Sequence, residues 1–256
     1  MIRSVERALN LLLLFSYAKP RWGITEMAKA TDIPKTTVHN LLRTLEEKGF
    51  VHQDKESMKY SLGRKLFTLG STMVETLDIN QKAIGPSHRL AERTGLECKV
   101  AIWDVDAVII TIDIGLRHRG FLSKRLGPRV VAYCSALGRV FLAHYDTLDL
   151  EFYLEQTELK AFTKNTIVNR DKLLEELEAT RLRGYSINNE EINLNAVGIG
   201  APIFNKMGEV IASIEVAGTP EVVFAGTKDI YIHELMETAA EISISLGWLP
   251  LSAGEV

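Results

Sequence analysis

The chain has 256 residues, 46% of them hydrophobic and 25% charged, the balance of a soluble globular protein with room for one large domain or two of ordinary size. Its formal net charge of −3 argues at first against a nucleic-acid partner, but the charge is unevenly spread. Residues 1–70 carry 12 Lys+Arg against 7 Asp+Glu, a net of +5, while the remaining 18 against 26 give −8, so a basic module is joined to an acidic one.

Cys98 and Cys134 are the only cysteines and have no paired spacing, which points to a reducing cytoplasm. The apolar run Leu9 to Phe15 invites a signal-peptide reading. Glu6 before it, Asn10 within it and the absence of a small-residue cleavage site after it exclude that, and the run is too short to span a membrane.

In chain order, Ser4 is placed to cap a first helix over Val5 to Tyr17, with Val5, Leu9, Leu12 and Leu13 as its buried face. Lys19 to Gly23 is a turn, and Thr25 caps a second helix. A break follows at Thr31-Asp32-Ile33-Pro34. Beyond it Val38, Leu41, Leu42 and Leu45 recur at i, i+3, i+4 and i+7, one apolar stripe of a helix over Lys35 to Lys48. Pro34 suits that helix's first turn.

The opposite face carries Thr36, Asn40 and Arg43, flanked by Thr37 and His39, with Lys35 at its start. These are side chains a DNA major groove accepts: Arg bridges guanine, Asn bridges adenine, and Thr reaches a phosphate or a thymine methyl. Gly49 stops the helix. Phe50 to Gln53 and Lys59 to Leu62 then read as two short strands around a polar turn, the order of a winged helix-turn-helix, in which Lys55 and Lys59 reach phosphates. A lone module with so modest a basic excess binds weakly, which implies a dimer or tetramer.

After the wing, Gly63 to Leu77 reads as a linker helix whose stripe runs on to Ile84 and is interrupted at Gly85-Pro86. A helix ending at Gly95 follows, then strands over Cys98 to Trp103, Val108 to Ile112 and Gly120 to Lys124. Ser135 to Tyr145, Asp149 to Glu155 and Lys172 to Arg183 read as helices. Tyr185 to Ile187 begins a strand, Gly198 to Phe204 and Glu209 to Ala217 form a hairpin, and Lys228 to Leu246 is a final helix. This is an α+β order, suited to an antiparallel sheet with helices on its face.

Other chemistries find little support. Cys134 precedes a helix, where amides can depress a thiol pKa, and His144 lies in the same segment, but ten residues separate them and Cys is among the residue types most often buried. The six His have no zinc spacing, and Gly198 and Gly200 do not form a phosphate-cradling loop. No catalytic residue, metal or cofactor is expected. Arg117-His118-Arg119 with Lys124-Arg125 forms a basic cluster able to clamp an anion, or a solvated loop or subunit contact. The rival to a DNA-binding reading is a small-molecule sensor or enzyme whose helix-turn-helix serves protein contacts.

Several motifs in order resemble the isocitrate-lyase-regulator (IclR) family of bacterial transcriptional regulators, from Ser4 to about Gly247. They are SVERALNLLLLF, IPKTTVHNLLRTLEEKGFV, YSLGRKLFTLG, SALGRVFLA, FTKNTI, LLEELEATRLRGYSINNEE, APIFNKMGEVIASIEVAG and AAEISISLG. The resemblance implies a winged helix-turn-helix over 1–63, a linker helix over 64–85, and a GAF-like effector-binding and oligomerisation domain over 86–250 with an antiparallel sheet flanked by helices. It implies operator DNA, a small-molecule effector from carbon catabolism such as an organic acid or aromatic compound, a homodimer or dimer of dimers, and a repressor of a catabolic operon. DNA contacts are expected from Thr25, Lys35, Thr36, Thr37, His39, Asn40, Arg43, Lys55 and Lys59. The effector pocket is expected to involve Trp103, Cys134, Ser135, Ala136, Leu137, Asn189, Gly198, Gly200, Glu215 and Ala217. Glu215 and Ala217 depart from the family's usual Ser and Ile alternation. An inward Glu215 would oppose an anionic effector, favour an amine or hydroxyl, or pair with an Arg such as Arg139; with Ile214 and Val216 buried instead, it would face solvent.

Overall fold

The structure, a computed structural model, describes residues 2–16, 18–115 and 129–249. The chain divides into two compact units, Met1–Thr76 and Leu77–Val256. The first contains α1 (Arg3–Leu13), α2 (Ile24–Thr31), α3 (Lys35–Glu47), β1 (Val51–Gln53), β2 (Tyr60–Leu62) and α4 (Arg64–Thr76). Its core joins Leu11, Met27, Ile33, Val38, Leu42, Val51 and Tyr60. Asp32, at φ 53°, reverses the chain after α2, which lets Ile33 drop between α2 and α3. Gly63 packs so closely on the chain after α3 that a Cβ there would stand 2.1 Å from the Gly49 carbonyl oxygen, fixing where α4 leaves the wing.

Four expectations for this unit are corrected. Ser4 lies inside α1, whose N-cap is Ile2 without a side-chain bond. Thr25 does not cap α2: Gly23 does, its N–H donating to the Glu26 carboxylate at 2.8 Å. Val5, Leu9 and Leu13 are exposed, because α1 packs inward through Leu11 instead. Pro34 takes the N-cap position of α3 rather than its first turn.

The second unit begins at α5 (Asp78–Thr94) and continues through β3 (Glu97–Asp104), β4 (Ala107–Ile114), β5 (Arg129–Val131), α6 (Ala136–His144), α7 (Thr147–Gln156), α8 (Arg170–Arg183), β6 (Ser186–Asn189), β7 (Val197–Phe204), β8 (Val210–Gly218), α9 (Pro220–Val223) and α10 (Lys228–Ser245). The helical stripe breaks at the extended Leu77 and not at Gly85-Pro86, since α5 runs straight through Pro86. An interior proline costs about 3 kcal/mol; burial of Ala83, Ser87, Leu90 and Ala91 from the same helix offsets it. The expected strand over Gly120 to Lys124 and the basic cluster from Arg117 to Arg125 lie outside the described residues.

One antiparallel sheet of six strands, in the order β5-β4-β3-β8-β7-β6, organises this unit. α5 and α10 cover one face, burying Cys98, Val100, Ile199, Ala201, Ile203, Ala212, Ile214 and Val216. α6 lies on the other, with Leu137 and Phe141 against Ala101, Val108 and Ile110, and α7 and α8 pack behind it through Leu142, Tyr153, Leu154, Leu173 and Leu177. Because both faces are covered, β8 is buried from Ala212 to Val216 without alternation, and strand polarity ceases to report which side faces water.

Candidate nucleic-acid interface and ligand pocket

In α3 the buried positions Val38 and Leu42, with Leu41 and Leu45 partly buried, turn the other face outward. Lys35, Thr36, His39, Asn40 and Arg43 are exposed and Thr37 is half-buried. Arg43 reaches Glu47 only at 3.9 Å, both side chains about two-thirds exposed, a pair weak enough to leave the guanidinium for another partner. The wing turn is held by Asp54, which accepts from the Ser57 hydroxyl at 2.6 Å and the Ser57 N–H at 2.8 Å; the hydroxyl contact leads in holding its carboxyl below the ordinary range. Lys55 and Lys59 project from that turn, exposed. Glu46 ties the wing to α3 by accepting from the Gln53 N–H at 2.8 Å. Thr25 is exposed on α2.

The second unit holds a cavity of about 660 Å³ between the α6 N-terminus, the ends of β3, β7 and β8, and the segment joining β6 to β7. Register builds its floor: Glu215 pairs with Gly200 on one side and Lys99 on the other, and Ala217 pairs with Gly198 and Glu97. Of the expected pocket residues, Ser135, Leu137, Gly198, Glu215 and Ala217 line it. Ser135 caps α6, its hydroxyl accepting from the Gly138 N–H at 3.0 Å. Glu215 points inward and is buried. Burial drives its carboxyl above the ordinary value, although Lys99 and the facing Leu137 N–H work the other way.

Lys99 stands 3.9 Å from Glu215 and 3.1 Å from Glu97. Burial disfavours its ammonium, yet the two carboxylates more than compensate, so its pKa is raised and it stays charged. Arg139 is not Glu215's partner. It lies 1% exposed, giving Nη1 to Glu191 Oε1 at 2.6 Å, Nη2 to Glu191 Oε2 at 2.5 Å, Nε to the Tyr133 carbonyl at 2.8 Å and Nη1 to the Ile187 carbonyl at 2.9 Å.

Other expected residues support the pocket from outside. Ala136 and Gly200 meet behind it, where a Cβ on Gly200 would come within 2.8 Å of the Ala136 carbonyl oxygen. Cys134 is fully buried, and burial pushes its thiol up to about 12, the reverse of a thiolate poised for attack. Trp103 packs among Phe141, Tyr145 and Tyr153, and Asn189 is exposed. Sequence reasoning missed Glu97 and Lys99 in the lining. Lys99, charged between two buried neighbours in a strand, was the available signal.

Among the described residues, no group of three or more His, Cys, Asp or Glu is placed to hold a metal ion, and no helix is long and apolar enough to cross a membrane.

Residues 4–55 match the IclR helix-turn-helix domain and residues 71–244 match the bacterial transcriptional regulator IclR C-terminal domain. The chain belongs to the IclR family. It is 31% identical to the HTH-type transcriptional regulator XynR of Escherichia coli over 97% of this chain and 98% of that one. It is 32% identical to the HTH-type transcriptional regulator KipR of Bacillus subtilis over 96% and 98%. The crystal structure of the Thermotoga maritima IclR superposes with a TM-score of 0.72 at 29% identity, covering 97% of this chain and all of that one. This IclR-family chain is therefore a helix-turn-helix, DNA-binding transcriptional regulator.

Proposed function

We propose that α3 enters the major groove of operator DNA, with Asn40 and Arg43 at base edges and Thr36, Thr37, His39 and Lys35 at bases or adjacent phosphates. Lys55 and Lys59 of the wing, and Thr25 at the start of α2, take the flanking backbone. Residues 1–63 form the DNA-binding module, and α4 is the linker that leaves it. The carrying observation is that α3 buries one stripe and turns outward a face of DNA-reading side chains with no strong internal use. The second unit binds the effector in the cavity beneath α6. The active form is a homodimer or dimer of dimers in the cytoplasm: α4 buries no residue within its own chain, and Phe67, Leu69 and Met73 stand exposed on it, an apolar surface that a second copy would cover. Binding of effector changes the arrangement of subunits and so the affinity for DNA, and the protein acts as a repressor of a catabolic operon.

The test is a gel shift with duplex from the chain's own upstream intergenic region. Asn40→Ala and Arg43→Ala are each expected to cost about 1–3 kcal/mol of specific binding. Lys55→Ala should weaken all duplexes alike and lower the salt slope by about one. A wild type with no preference among duplexes at moderate salt refutes the reading.

A further inference from the structure

The N-terminus of α6 presents backbone N–H groups and the positive end of a helix dipole, worth roughly half a unit charge. That position is already filled. The Glu215 carboxylate lies against the Leu137 N–H, and Ser135 takes the Gly138 N–H. The neighbouring strand is shaped around it: a Cβ on Gly198 would stand 2.7 Å from Glu215 Oε2, so a side chain there would push the carboxylate from its place. We propose that Glu215 is a built-in carboxylate at this helix terminus, and that the cavity therefore takes a non-anionic small molecule bearing hydroxyl or amino donors. This rests on the reading of the cavity as the effector site, and it narrows the catabolic intermediates the family implies to those without a carboxylate at this end.

Electrostatics support it. Among the described residues, the charged groups lining the cavity are Glu97, Glu215 and Lys99. With Glu215 ionised the lining carries two negative charges against one positive; with Glu215 protonated the remaining pair cancels. In neither state do the described lining residues hold the net positive charge an entering anion needs. The ammonium of Lys99 is committed to Glu97 at 3.1 Å, its side chain 12% exposed. What remains for a ligand is the outer side of two carboxylates, which pair with O–H and N–H donors, and the amides of Asn193 and Asn195, whose carbonyl oxygens do the same, beside the apolar walls of Leu137 and Ile192.

Three probes with one carbon skeleton isolate charge: benzoate, benzyl alcohol and benzylamine, titrated calorimetrically into the full-length protein. Benzyl alcohol or benzylamine is expected to bind wild type at least tenfold more tightly than benzoate, and which of the two leads tells hydroxyl from amino recognition. In Glu215→Ser, which vacates the helix terminus, benzoate should gain at least tenfold and the order should invert. Glu215→Gln keeps the side-chain volume should the serine variant misfold, and it should erase the wild-type discrimination to within a few-fold. Benzoate leading in wild type, an order unchanged by either substitution, or binding of no probe to any of the three proteins overturns the proposal. Any of these leaves the DNA-binding reading intact, because that stands on the gel shift.

Discussion

Replacing Arg139 by Met should unfold the second unit more readily than any single change to the surface. The guanidinium is 1% exposed and makes two bonds to Glu191, whose side chain is 5% exposed, as well as bonds to the Tyr133 and Ile187 carbonyls. Glu191 also accepts from the Ile167 N–H at 3.2 Å. Methionine fills most of the volume but leaves an uncompensated carboxylate and two unmatched carbonyls, a loss of about 3–5 kcal/mol for breaking a buried pair from one side. For a unit of this size that lowers the melting temperature by roughly 6–20 °C. Tryptophan fluorescence in urea measures it, and a double variant with Glu191→Leu should recover most of the loss, because removing both charges removes the desolvation problem. A single variant losing under about 1 kcal/mol, or a double variant as unstable as the sum of the two singles, would refute the account of Arg139 as the brace of the segment that closes the pocket.

Gly138→Ala should cost about 1–3 kcal/mol, since its Cβ would stand 2.2 Å from the Ala132 Cα. Gly70→Ala, in α4 with nothing within 4 Å of the added carbon, should stabilise by about 0.5–1 kcal/mol; thermal melts compare the two, and equal effects would refute the packing argument. The raised carboxyl of Glu215 has a pH signature. Above its ordinary value of 4.5 the unfolded chain releases this proton before the folded one does, so the residue's contribution to stability falls as pH rises from there through its folded pKa. Glu215→Gln should therefore gain stability on wild type as pH rises from 4.5 through the folded pKa of Glu215, measured by urea midpoints; a constant difference across that range contradicts the burial.

The recognition helix was legible because Val38, Leu41, Leu42 and Leu45 keep one face and Gly49, at φ 77°, marks its end. The first helix was legible in place and not in orientation: the run from Leu9 to Phe15 is apolar at every position but Asn10, so no periodicity selects Leu11, the residue that is buried. Gly85-Pro86 read as an interruption because proline's local penalty is visible in sequence, while the burial of Ala83, Ser87, Leu90 and Ala91 that outweighs it is tertiary. The short elements β5 and α9, at three and four residues, fall below the length at which a period can be read.

Glu215 shows why the site was harder to read than the fold. The sequence offered two alternatives, Ile214 and Val216 buried or Glu215 buried, as though one face of the strand had to meet water. Both faces of β8 are covered, so Ile214 and Val216 enter the core beneath α5 and α10 while Glu215 enters the cavity beneath α6. Its partner was equally hidden. Arg139 is a natural match by chain position, but Lys99 becomes a neighbour only through the pairing of β3 with β8, strands that lie side by side although over a hundred residues of chain separate them. The charge of the pocket is thus decided by strand order: the β3–β8 pairing that closes the centre of the sheet also sets Glu97 and Lys99 beside Glu215, and a chain that paired β3 otherwise would leave a buried carboxylate with no cation to share.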